Sequence, residues 1–122
     1  MKELHFNTIL EIVTHFYERA TRDILIGYHF RVIHDFDTHL PRIASFWQLQ
    51  LTGEIDAKEE LPFNLIVAHK PLKIRTGEVN RWEVLFHDSL DEFILQKKIS
   101  PTQKDLWVEK IKIFKKRLLV LC

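Results

Sequence analysis

Cysteine is nearly absent. The only one in 122 residues is Cys122, so neither an intrachain disulfide nor a thiolate metal cage can form. No charge of one sign dominates either: 18 Lys and Arg against 17 Asp and Glu leave a net +1. Nucleic-acid affinity comes from neutralising many phosphates, so no nucleic-acid partner is predicted. Long apolar runs are missing. The longest, Leu65–Ala68 and Leu118–Cys122, fall far short of the roughly 20 residues that span a bilayer, so no membrane partner is predicted. The first residues, Met1-Lys2-Glu3-Leu4-His5, contain no apolar core or small-residue cleavage site. Together with the cysteine usage this predicts a cytoplasmic protein. Glycine (three) and proline (four) stand at about half their usual share, leaving few breaks in regular structure.

What is present is buriable surface. Nine Phe, three Trp and two Tyr exclude a disordered chain, and the length predicts one domain over 1–122. Phe6, Ile9, Leu10, Val13, Phe16, Tyr17 and Ala20 recur at helical spacing. Thr8 and Glu11 fit a capping box, predicting a helix from about Thr8 to Asp23–Gly27. An irregular corner, Tyr28 to Asp37, is expected next. A second helix is predicted from about Thr38 to Leu51 and closed by Gly53, with Phe36, His39, Ile43, Phe46 and Trp47 inward. Pro41 fits only in its first turn, which sets the start near Asp37 or Thr38. An acidic loop, Gly53–Leu61, precedes a short helix from Pro62 to His69 that Pro71 stops. A fourth helix is predicted over Gly77–Gln96, with Val79, Trp82, Phe86, Ser89, Leu90 and Phe93 on one side. Ser100-Pro101-Thr102-Gln103 is a helix-start signal, and Leu106, Trp107, Ile111, Phe114, Leu118 and Leu121 give the last helix its apolar side. No stretch alternates like a strand. The predicted class is all-α.

The seven histidines are many for this length. His5 and His15 lie beside polar positions and are expected in solvent; His29 and His34 fall in the corner and are expected to be structural or at the surface. His39 and His69 differ, because each interrupts an otherwise apolar helical face on a separate helix. Such a pair amid large aromatics fits a flat apolar ligand with a metal at its centre, one imidazole ligating from one side and a polar group facing the other. The free carbonyls around Leu65 and Ile66 would orient the His69 ring.

Phe16-Tyr17, Asp23, Gly27 and Phe30, then His39, Ile43 and Phe46-Trp47, then His69-x-x-Leu72 and Arg81-Trp82 with Phe86, resemble the group III truncated haemoglobins. The likeness spans about residues 16 to 90. Gly-Gly pairs, usual in groups I and II, are absent. Phe36 stands where the family usually has a tryptophan, and the acidic Glu54–Glu60 stretch replaces the family's usual lead-in to the proximal helix. The resemblance implies a bacterial, cytoplasmic globin with a two-on-two helical sandwich and non-covalent haem b. It makes His69 the iron ligand, Phe30 the residue packed on the porphyrin face, and Tyr17, His39 and Trp82 the polar lining of the ligand side. Ile43, Phe46, Leu72 and Phe86 would complete the pocket.

In such a pocket the iron would bind dioxygen, nitric oxide or carbon monoxide reversibly. A hydrogen bond to a charged group contributes about 1.5–3 kcal/mol, so donors such as Tyr17 or Trp82 would slow release by one to several decades. Slow release fits nitric oxide oxidation or peroxide chemistry, served by a reductase, better than bulk oxygen transport. Arg42, Lys70 and Arg75 are placed to neutralise the haem propionates. Two alternatives compete. Glu83, His87 and Asp91 share a helical face at i, i+4, i+8, either a non-haem metal site or a solvated face. The run Lys104, Lys110, Lys112, Lys115, Lys116, Arg117 fits a solvated helix face or a purely structural interaction module.

Overall fold

The computed structural model describes residues 4–33, 35–53 and 73–120. The predicted Pro62–His69 helix, the acidic loop beyond Gly53, and His34, His69, Lys70, Leu72, Leu121 and Cys122 lie outside them. The described chain is all-α: α1 (Phe6–Arg22), α2 (Gly27–Arg31), α3 (Phe36–Thr52), α4 (Thr76–Leu95) and α5 (Pro101–Leu119), with no strand among the described residues. None of these helices is long and apolar enough to cross a membrane.

Helix ends account for most differences from expectation. α1 begins at Phe6, two residues before the predicted Thr8, and its N-cap His5 contributes no side-chain bond. The Thr8–Glu11 capping box therefore does not form; both residues already lie inside the helix. The first part of the predicted irregular corner is one short helix, α2, while Val32, Ile33 and Asp35 lie outside any helix. Asp23 Oδ2 accepts from the backbone N–H groups of Leu25 and Ile26, at 3.0 and 3.1 Å, and so turns the chain into it. The Asp35 carboxylate accepts from the Thr38 N–H at 3.2 Å and starts α3 at Phe36. Pro41 is thus the sixth helical residue rather than a first-turn proline. The stop at Gly53, in the left-handed conformation with φ 80°, is as predicted. So is the start of α5. There the Gln103 N–H donates to Ser100 Oγ at 3.1 Å, and the Ser100 N–H donates to Gln103 Oε1 at 2.8 Å.

The four long helices meet edge to edge. α1 packs on α3 and α4, α5 packs on α3 and α4, and α2 rides on α1. Their shared interior is aromatic. Phe86 lies 4.8 Å from Phe16 and 5.3 Å from Trp47, Trp47 lies 5.6 Å from Trp107, and Phe46 lies 5.2 Å from Phe114, all centroid to centroid. Trp107, Ile9, Ile12, Val13 and Leu90 are fully buried. Each large apolar side chain taken from water stabilises by about 1.5–3 kcal/mol, so this cluster holds the four helices in register.

Candidate functional site

The aromatic interior does not fill completely. A cavity of about 370 Å³ opens beside it, within the roughly 300–1,000 Å³ usual for small-molecule sites. Every described helix contributes to it. α1 supplies Phe16 and Tyr17, α2 His29 and Phe30, and α3 His39, Arg42, Ile43, Phe46 and Trp47. α4 supplies Glu78, Val79, Trp82 and Phe86, and α5 adds Leu118. Of the predicted site residues, Tyr17, Phe30, His39, Arg42, Ile43, Phe46, Trp82 and Phe86 therefore meet in one place. Arg75 does not line the cavity. It is exposed at the N-cap of α4, its backbone N–H donating to Glu78.

Tyr17 is the hub of the α1 wall. Its ring packs edge-on against Phe16, Phe30, Phe36 and His39 at 5.1–6.1 Å. Its hydroxyl makes no hydrogen bond to a described residue, and burial alone pushes the phenol well above its ordinary range. It stays a neutral donor. His39 is half-buried; burial, then the nearby Arg42 guanidinium, push its imidazole below the usual value against a smaller opposing pull from Asp35. It is held neutral as well.

The opposite wall carries a group that sequence reasoning missed. Glu78, only 4% exposed, accepts from Tyr28 Oη on one carboxylate oxygen. The other oxygen accepts from the Arg75 N–H at 2.9 Å and lies 3.2 Å from His29 Nε2. Burial pushes the Glu78 carboxyl up, but these three donors outweigh it, and the net displacement is downward. An ionised carboxylate thus sits in the wall of an apolar cavity. In the sequence Glu78 looks like an ordinary acidic residue of a helix's first turn. Its partners Tyr28 and His29 are fifty residues away, and no spacing rule links them.

Two other expectations are corrected, and one pairing is new. His15 is not in solvent: Nδ1 lies 2.8 Å from Ser89 Oγ, and the ring packs edge-on to Phe93 at 5.7 Å. Glu83, His87 and Asp91 form no metal site, and among the described residues no group of three His, Cys, Asp or Glu could hold an ion. That face is solvated only in part: Asp91 is exposed, whereas Glu83 and His87 are half-buried. Glu83 pairs with Lys115 at 2.7 Å, Asp91 pairs with Lys104, and His87 Nε2 is buried without a hydrogen-bond partner, so this side of α4 is its seam with α5. The same two lysines remove part of the α5 basic run from open water. Finally, Asp23 and Arg81 turn out to be partners, with Nε at 2.9 Å and the guanidinium tip at 2.8 Å from Oδ1, fastening the α1–α2 corner to α4.

No protein-family model, curated protein or solved structure matches the chain.

Proposed function

We propose that this chain is a cytoplasmic globin of the group III truncated type, holding non-covalent haem b in the cavity among α1, α3 and α4. The observation that carries the reading is the Tyr17 hydroxyl, a neutral donor on a half-buried side chain in the wall of an aromatic cavity, with no hydrogen-bond partner among the described residues. A donor open to an apolar cavity is placed to meet a ligand atom that accepts from it. The helix pairings support a two-on-two sandwich, α1 with α3 over α4 with α5.

The residues present fit the group. Phe16, Phe30, Phe46, Trp82 and Phe86 offer flat apolar walls to a macrocycle, and Arg42 gives the lining a positive charge for a propionate. His69 is the proposed iron ligand. When bound, haem supplies an open coordination position for dioxygen, nitric oxide or carbon monoxide, together with the capacity for electron exchange. Tyr17 and Trp82 then provide donors toward a partly negative ligand, and His39 provides a neutral ring beside them. Strong retention of dioxygen suits nitric oxide oxidation or peroxide chemistry with a reductase.

Absorption spectra of the ferric, ferrous and ferrous–carbonyl forms test this. The purified protein is expected to show an intense band at the blue edge of the visible range, and His69→Ala is expected to lose it. A colourless wild type would instead make the chain a structural helical module.

A further inference from the structure

Two imidazoles of the described residues line the cavity, and their surroundings are opposite in sign. His39 has the Arg42 guanidinium beside it, which disfavours a second positive charge; Asp35 opposes this only in part. His29 has a buried carboxylate. Its Nε2 lies 3.2 Å from Glu78 Oε1, and its ring stacks on Tyr28 at 4.1 Å, so both tautomer and plane are fixed. Nδ1 has no hydrogen-bond partner among the described residues, while the side chain, 11% exposed, belongs to the cavity wall. Glu78 is itself held by Tyr28 Oη and by the Arg75 N–H. The remaining ionisable groups around the cavity are Tyr17 on α1, His39 and Arg42 on α3 and, at the α4 N-cap, Arg75. None of them is an anion, so Glu78 is the only negative charge in the described lining.

We propose that His29, held by Glu78, is the proton-exchanging group of this cavity, taking a proton directly or through one water from a weakly acidic ligand that binds there as its anion. The H–X bond breaks, its electron pair stays on X, and the proton goes to Nδ1. The imidazolium so formed faces Glu78, which keeps its own charge and compensates the new one. Glu78 is a positioning residue, touching the ligand only through His29. His39, beside a cation, is the wrong imidazole for this task.

The inference rests on the haem reading for its kinetic test, which compares cyanide with azide on the ferric haem-loaded protein. Cyanide arrives as a neutral acid near pH 7 and must lose a proton; azide arrives as the anion. His29→Gln is expected to slow cyanide association by about tenfold or more near neutrality. The deficit should shrink at alkaline pH, and azide association should be unchanged. Glu78→Gln is expected to act in the same direction, and His39→Gln to leave the cyanide-to-azide ratio near wild type. Equal slowing of both ligands by His29→Gln, or loss of the ratio in His39→Gln, overturns the proposal. If the protein takes up no haem, the haem reading fails separately, and nitrogen NMR of the His29 side chain decides the dyad. A proton on Nε2 that exchanges faster with solvent in Glu78→Gln supports it; a proton resident on Nδ1 with Nε2 bare overturns it.

Discussion

At the scale of single residues, the cavity wall trades stability for a donor. The Tyr17 hydroxyl faces the cavity and spends no hydrogen bond on a described residue, so Tyr17→Phe should leave the ligand-free fold as stable as wild type or slightly more so. The same substitution should speed dioxygen release from the haem-loaded protein. A donor to a charged group contributes about 1.5–3 kcal/mol, or roughly 10- to 150-fold in rate, which stopped-flow measurement reads directly. Glu78 behaves in the opposite way. Its carboxyl lies below its ordinary 4.5 when folded. Its contacts therefore stabilise the protein above that value, and the stabilisation is lost as pH falls through the folded value. Denaturant unfolding across an acid series should show a flatter acid limb for Glu78→Gln, on a neutral-pH stability lowered by about 1.5–3 kcal/mol. Of these two residues only Tyr17 was legible beforehand. It follows Phe16 on a periodic helical face, whereas Glu78 owes its role to Tyr28 and His29, which only the tertiary fold brings near.

Among the elements, the bodies of the helices were readable and their ends less so. The apolar faces of α1, α4 and α5 fall where periodicity placed them, because burial of a stripe is a sum over many side chains. A start depends on one local competition. At α5 the Ser100–Gln103 pair decides it, while at α3 Asp35 captures the Thr38 N–H and draws Pro41 into the helix. This gives a paired test: Ser100→Ala should cost about 1 kcal/mol in unfolding free energy and Thr8→Ala only a few tenths, since Thr8 caps nothing. α2 has a stricter demand. A Cβ on the buried Gly27 would stand 2.5 Å from an Arg31 guanidinium nitrogen, 2.7 Å from the Thr21 carbonyl oxygen and 3.2 Å from that of Ala20. The arginine can swing aside but the backbone carbonyls cannot. Gly27→Ala should destabilise by about 1–3 kcal/mol in thermal or chemical unfolding, displacing the segment that carries His29 and Phe30.

For the whole molecule, a haem-filled cavity and an empty one should differ measurably in melting. Free haem at 100 times its dissociation constant adds about 2.7 kcal/mol, worth roughly 10 °C for a domain of this size. His69→Ala should forfeit that gain. The all-α class was legible from the lack of alternation, and eight of the predicted lining residues do converge. The closure of α1, α3, α5 and α4 around one interior was not, because helix order along a chain does not say which faces meet. That closure also sets a timetable. The described lining begins at Phe16 and ends at Leu118, so a growing polypeptide leaves the ribosome with its pocket open on the Leu118 side until α5 has been made. On the haem proposal, loading would then follow synthesis of the last helix, and any earlier capture would have to be by a different, transient shape of the chain.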